Sequence, residues 1–571
     1  NKHNIAVLAG YSWEQEDYTN MLGSRDKFPG NDLPYLNVGS PDNQKVSGGG
    51  YGWAIQSYFG RLKYNYAERY LFESTFRYDG SSRFHKDHRW GFFPSLSGAW
   101  RISEESFMES TRSWLDNLKI RLSWGKLGNS EIGNYEYQSA YGTSNYVFGN
   151  SLVSGLAITA YANELLQWES TTTTNLGIDA ALLNNRLTVG IDIYHKMTSG
   201  ILYRPAMEYV LGYHNNSDGV NVKAPRQNIA EVSNDGFELS LGWRDRIGKV
   251  EYSVSGNFSY NKNKVDKYNG EYTRTWVEDP NNTLTGGKWT DNIGKVSSGG
   301  NSPVVEGHML NEYRYRSVYK GNGKYFNADG SVNPAGGPKG GMIRTEEDMN
   351  WVKAMMDAGY KFKPGNSIGK ANIYYGDYIY ADVNGDGVYG DSDDEEFQGR
   401  SKTPKYNFGF QASAAWNGFD ISMVWAGAAG FDIYWGPTAG YNAAKTEWGN
   451  NIAQRIADDH YFYDPSNPDD PRTNINGKYP RMTYLDGNVQ NNASSNRWLY
   501  NGDYIKLKNL SLGYTLPQKW VTKVAMQNAR IYVSAENLLT ITSFEGQDPE
   551  SATGMGYSPF RSIAIGANIT F

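Results

Sequence analysis

The stretch Ser562-Ile563-Ala564-Ile565-Gly566-Ala567-Asn568-Ile569-Thr570-Phe571 closes the chain with strict alternation. Ile563, Ile565, Ala567, Ile569 and Phe571 fall on one face, and Ser562, Ala564, Gly566, Asn568 and Thr570 on the other. Side chains alternate with period two along a strand. A strand that is apolar on one face and small or polar on the other fits the wall of a membrane β-barrel. It also fits an amphipathic strand of a soluble sheet, so the rest of the chain has to decide between them.

Alternation recurs throughout. Val250, Tyr252, Val254, Gly256, Phe258 and Tyr260 oppose Glu251, Ser253, Ser255, Asn257 and Ser259. Leu187, Val189, Ile191 and Ile193 oppose Thr188, Gly190, Asp192 and Tyr194, and Tyr70, Phe72, Phe76 and Tyr78 oppose Glu73, Thr75 and Arg77. The pattern slips near Asn509, with Ile505 and Leu507 odd but Leu510, Leu512 and Tyr514 even, which predicts a β-bulge. Roughly 14 to 16 such segments can be counted. Tight turns join neighbours at Leu183-Asn184-Asn185-Arg186 and at Trp416-Asn417-Gly418-Phe419, the second carrying the Asn-Gly hairpin signal. Charges at Glu73, Arg77, Asp179, Asp192, Lys196 and Glu238 sit mid-strand, which suits a polar lumen.

A single soluble core does not grow to 571 residues, and no clear linker divides the chain. A barrel one sheet thick escapes that limit. Aromatic residues make up 15% of the chain, which interfacial girdles of Tyr and Trp would explain and glycan-handling surfaces would also raise. Mean hydropathy is −0.64, compatible with a barrel because only alternate strand residues face lipid. No run approaches the ~20 apolar residues of a spanning helix. A net charge of −6 gives no reason to expect nucleic acid. With no cysteine, disulfides, thiolate metal sites and thiol nucleophiles are excluded.

Long insertions are expected at 267–316, 320–376 and 430–503, and loops of this length are usually functional. One should hold a helix capped by Thr345 with Asp348 three residues on, presenting Met349, Val352 and Met356 and ending at Gly359. A second helix is expected through 451–457. The sharpest local motif is Asp382-Val383-Asn384-Gly385-Asp386-Gly387-Val388, running on to Asp393. Asp382, Asn384, Asp386, the Val388 carbonyl and Asp393 have the spacing of a calcium loop, with Asp393 in place of the usual closing Glu. Ca2+ is the expected ion, and a solvated acidic turn is the alternative.

Several stretches, in order, resemble the SusC/RagA family of TonB-dependent outer-membrane transporters. They are Arg77-Tyr78-Asp79-Gly80-Ser81-Ser82-Arg83-Phe84 with Phe93-Pro94-Ser95, Leu118-Lys119-Ile120-Arg121-Leu122-Ser123-Trp124-Gly125 with Gly128-Asn129, and Asn234-Asp235-Gly236-Phe237-Glu238. The acidic loop, Asp503-Tyr504-Ile505-Lys506-Leu507 and Glu536-Asn537-Leu538-Leu539 complete the series. The resemblance implies an all-β fold, a transmembrane antiparallel barrel of about 22 strands in the whole protein. Residues 1–571 are expected to be its C-terminal part. The N-terminal plug, the TonB-contacting segment and the first strands are expected outside this chain.

The implied function is TonB-dependent import of an oligosaccharide across the outer membrane, with a SusD-like lipoprotein as lid and dimerising transporter–lipoprotein pairs. An oligopeptide is the alternative cargo. Transport itself needs no cofactor. A secreted glycan-binding protein or glycosidase is the reading from another class. It finds no HExxH, no Gly-x-Ser-x-Gly, no P-loop and no assignable carboxylate pair, so no enzymatic activity is expected.

Overall fold

A computed structural model describes residues 2–204, 225–297, 299–436, 452–482, 489–551 and 559–571. Fourteen strands form one sheet, each hydrogen-bonded to the next in chain order. They are β1 His3–Asp26, β2 Ser40–Tyr66, β3 Tyr70–Ser81, β4 Trp90–Arg101, β5 Leu115–Asn129, β6 Glu169–Leu182, β7 Leu187–Tyr203, β8 Gln227–Ile247, β9 Val250–Lys267, β10 Tyr406–Trp416, β11 Phe419–Ala429, β12 Tyr504–Thr515, β13 Asn528–Thr542 and β14 Ser562–Thr570. The chain divides into two compact units, Asn1–Leu183 with Asp192–Asp235, and Asn184–Ile191 with Gly236–Phe571.

In the first unit, register explains the exposed apolar surface. Ile5 lies opposite Tyr64 and Tyr64 opposite Phe72, while Ile120 pairs with Ile178 and Leu122 with Leu176. These side chains form one apolar face from β1 to β6. Aromatic rows bound it at two levels. Tyr66, Tyr70 and Trp100 stack in sequence at 6.3 and 6.5 Å. Eight residues further along β3, Tyr78 stacks on Trp90 at 4.8 Å, and Tyr58 meets Tyr11 at 5.3 Å. Eight residues span about 27 Å along a strand, or about 20 Å across a membrane at the usual barrel tilt. That matches an outward apolar belt between two aromatic girdles.

The second unit repeats the scheme. Ile563, Ile565 and Ala567 of β14 lie opposite Ala535, Val533 and Ile531 of β13. Val533 and Ile531 lie opposite Leu512 and Tyr514 of β12, which meet Ile421 and Phe419 of β11. The expected bulge is present. Register shifts between Leu507 and Asn509 against β13, and between Val424 and Trp425 against β11. Against β11 Lys508 is the extra residue, while against β13 the extra residue lies between Glu536 and Leu539, and the shift lets Leu507 and Leu510 share the apolar face.

Connections are short at one end of the strands and long at the other. In the first unit 67–69 is tight and 130–168 long, and in the second 417–418 is tight while 268–405 and 430–503 are long. Asn417 and Gly418 have φ of 48° and 88°, as a type I′ turn requires. The insertions expected at 267–316 and 320–376 are one insertion, 268–405. Alternation shows where a wall strand stops but not whether the short ribbons beyond it, Glu312–Arg316 with Glu395–Ser401 among them, rejoin the wall. Its helix is Glu346–Asp357, with Thr345 and Asp348 forming a reciprocal capping box. Met349, Trp351, Val352 and Met355 are buried with Phe362 and Tyr380. The second helix is Gln454–Asp458, starting later than expected, and residue 451 lies outside the described residues.

Candidate functional site: the polar face and the folded insertions

Opposite the apolar belt, the strands carry paired charges. Arg121 on β5 grips Asp179 on β6 through Nε and Nη2 at 2.8 and 2.9 Å and reaches Asp192 on β7 at 3.1 Å. Lys119 adds a 2.8 Å contact to Asp179, and Asn175 donates to Asp192 at 2.8 Å. Arg77 bonds Asp79 and Ser57. In the second unit Arg530 pairs with Asp420. Alternate residues of one strand thus place hydrocarbon on one face and hydrogen-bonding charge on the other. The mid-strand charges Arg77, Asp179 and Asp192 lie on this polar face, as the sequence pattern predicts.

Insertions 268–405 and 430–503 are tied together by buried polar contacts. Arg481 Nε and Nη2 donate to Asp377 at 2.6 and 3.1 Å. Asn491 Nδ2 donates to Asp377 at 2.9 Å, and the Tyr378 amide donates to Asn491 Oδ1 at 3.0 Å. Burial pushes the Asp377 carboxyl up to about 6, against the pull of Arg481. Around this tie lie an aromatic core holding Trp351, Tyr380 and Tyr461, and a second core holding Trp435, Trp498 and Phe544.

The acidic loop is organised by its own backbone. Asp382 Oδ1 accepts from the amides of Gly385 and Asp386, and Oδ2 from Gly387 at 2.9 Å. Asn384 Oδ1 accepts from the Asp386 amide, and Asp386 Oδ1 from the Val388 amide. Asp382, Asn384 and Asp386 are therefore together, and Val388 enters a short bridge with Lys361. Asp393 is not folded into this group. Its side chain is 57% exposed and accepts from Lys288 at 3.0 Å, with Lys288 3.7 Å from Asp386. The loop is closed by Asp394, which accepts the amides of Val383, Asn384, Gly390 and Asp391 at 2.6–3.2 Å. Burial raises the Asp382 carboxyl and pushes Asp394 up to about 7.

A calcium ion takes six to eight oxygens, and as folded Asp382, Asn384 and Asp386 lie together while Asp393 is turned to Lys288. Both Asp382 oxygens are engaged by amides, and the charge beside Asp386 and Asp393 is the Lys288 ammonium. Among the described residues no group of three or more His, Cys, Asp or Glu side chains is placed to hold a metal. Sequence spacing pointed to Asp393 and passed over Asp394 and Lys288. The only local hint was the Asp391–Glu396 acidic run, and Lys288 lies more than a hundred residues upstream.

Asp394→Ala should strand four amides and loosen the loop, at about 1–3 kcal/mol for each donor left buried and unpaired. Asp393→Ala removes only a surface pair, worth at most about 1 kcal/mol. Proteolysis mapped between 376 and 400 should therefore accelerate strongly in the first variant and little in the second. Equal effects would reject Asp394 as the closing residue.

A two-faced antiparallel wall with aromatic girdles and long insertions at one end is the architecture of an outer-membrane β-barrel. The family model described as TonB dependent receptor-like, beta-barrel, matches residues 3–344. The chain belongs to this family and is a SusC/RagA-like barrel of the outer membrane. The family is not one of enzymes, so the glycosidase alternative falls.

TonB-dependent receptor P3 of Formosa agariphila is 28% identical over 596 residues, which cover 100% of this chain and 51% of P3. TonB-dependent receptor SusC of Bacteroides thetaiotaomicron is 29% identical over 537 residues, 90% of this chain and 44% of SusC. The chain spans about half the length of the curated relatives it matches. The solved RagAB peptide transporter has the same fold, with a TM-score of 0.73 at 23% identity, covering 100% of this chain and 54% of that one.

Proposed function

We propose that this chain supplies the wall and outer loops of a TonB-dependent transporter that imports oligosaccharides across the outer membrane. The observation that carries the reading is the pairing, within each unit, of an apolar face with a charged opposite face in strands that end in folded insertions. A wall of this kind sits in lipid and presents ionic and hydrogen-bonding groups to a hydrated cargo. In this reading residues 1–571 form the C-terminal part of the barrel. A plug and TonB-contacting segment complete the transporter, and a SusD-like lipoprotein covers the insertions, with two such pairs forming a dimer. An oligopeptide is the second cargo reading, because the RagAB neighbour carries the name of a peptide transporter. Ca2+ at Asp382, Asn384, Asp386, Val388 and Asp393 belongs to the proposal as a competitor of Lys288, since Asp393 must leave the lysine to reach an ion. Calorimetric Ca2+ titration, with Asp382→Ala as control, separates an ion site from a lysine-paired loop.

The test is uptake in cells expressing the complete transporter, with and without TonB, using fluorescent oligosaccharides and fluorescent oligopeptides as separate probes. TonB-dependent uptake of the saccharides alone is the expected result. Uptake of the peptides alone replaces the cargo, and TonB-independent uptake overturns the mechanism.

A further inference from the structure

A cavity of about 430 Å³ opens where insertions 268–405 and 430–503 meet the segment after β13. Its volume lies within the range of small-ligand sites. Aromatic rings wall it: Tyr313, Phe431, Tyr434 and Tyr504. Their positions are fixed by contacts behind them. Tyr313 Oη donates to the Asp432 carbonyl at 3.1 Å, Tyr434 stacks on Tyr315 at 4.6 Å, and Tyr504 Oη donates to Glu550 at 3.0 Å. Rigid rings of this kind offer flat apolar faces at low entropic cost.

The charges lining the cavity are unequal. Glu550 accepts from Lys506 at 2.8 Å and from Lys508 at 2.6 Å. Burial opposes its ionisation, but Lys506, Lys508 and Tyr504 together hold its carboxyl down at about 2. Asp432 is paired with Arg400 at 2.9 Å. Lys402 is different: it is exposed, lines the cavity, and has no hydrogen-bond or ion-pair partner among the described residues. The charge left for a ligand is therefore positive. The lining segment 432–434 is paired along one edge with Leu499–Asn501. The cavity thus offers aromatic faces and one ammonium.

Resting on the oligosaccharide reading above, we infer that this cavity is a subsite for an acidic sugar, with a pyranose ring against Tyr434 and Tyr504 and its carboxylate on Lys402. The charge-assisted bond between ammonium and carboxylate gives the site its preference over neutral sugars.

The experiment is calorimetry on the complete detergent-solubilised transporter, with trigalacturonic acid, neutral maltotriose and a tripeptide as probes. Trigalacturonic acid should bind more tightly than maltotriose. Lys402→Gln should weaken it about tenfold or more, Lys402→Arg should preserve it, and added salt should reduce it. Lys402 is exposed and unpaired, so folding should be unaffected. Equal affinity for the two saccharides, or full affinity in Lys402→Gln, overturns the acidic-sugar subsite and leaves saccharide import standing. Binding of the tripeptide with neither saccharide bound overturns both readings.

Discussion

Arg481→Ala should unfasten the two long insertions while leaving the strand wall intact. Asp377 is fully buried and Arg481 nearly so, and their two contacts close a loop of about a hundred residues. Removing the guanidinium leaves a buried carboxylate with Asn491 and the Tyr374 amide as its hydrogen-bond donors. Breaking a buried pair in this way costs about 3–5 kcal/mol. Asp377→Asn should cost less, because the amide oxygen can still accept from Arg481, which also donates to the Lys370 carbonyl. Limited proteolysis with mass spectrometry should show new cuts in 365–381 and 478–503, with heat-modifiable migration retained. The pH dependence has a definite sign. A buried carboxylate with a raised pKa favours the folded state when protonated, and that stability is lost as pH rises through its folded value. In Arg481→Ala that value moves above the about 6 found with Arg481 present. The deficit should therefore shrink on going from pH 8 to pH 5. An unchanged cleavage pattern would show that the aromatic cores alone hold the insertions.

The second large effect concerns the wall. Ile565 is 81% exposed on the protein surface and lies at the centre of β14, opposite Val533. An isoleucine left so open is explained by lipid rather than water. Ile565→Arg should cost about 2–4 kcal/mol, the range for an arginine facing lipid near the bilayer midplane. Its neighbour Ala564 lies at nearly the same depth on the other face, opposite Ser534. Ala564→Arg should therefore be tolerated. Outer-membrane levels and heat-modifiable migration should fall for Ile565→Arg and hold for Ala564→Arg. Equal behaviour of the two would mean that the faces are not chemically distinct.

Most of the wall was legible because its signals are local. Alternation in Ser562–Phe571, the Asn417-Gly418 turn, the slip near Asn509 and the Thr345–Asp348 cap each depend on residues a few positions apart. Their structures follow from backbone geometry alone. The site was less legible because its partners are distant in sequence. Asp377 finds Arg481, Lys288 finds Asp393, and Lys506 is buried against Asp548 and Glu550 at 2.6–2.8 Å. No periodicity records such pairings. The acidic loop shows the limit most clearly: nothing in its spacing marks Asp394 as the acceptor of four amides.

The face assignment of the strands carries the whole account, and cysteine scanning of 562–571 tests it most directly. These 571 residues hold no cysteine, so each introduced thiol is the sole target among them. Cells bearing single cysteines at 563, 565 and 569, or at 562, 564 and 568, would be treated with a lipid-soluble and then a water-soluble maleimide. The expected result is complete separation, with the odd positions reached only from lipid and the even positions only from water. Mixed labelling within either set would contradict the barrel wall.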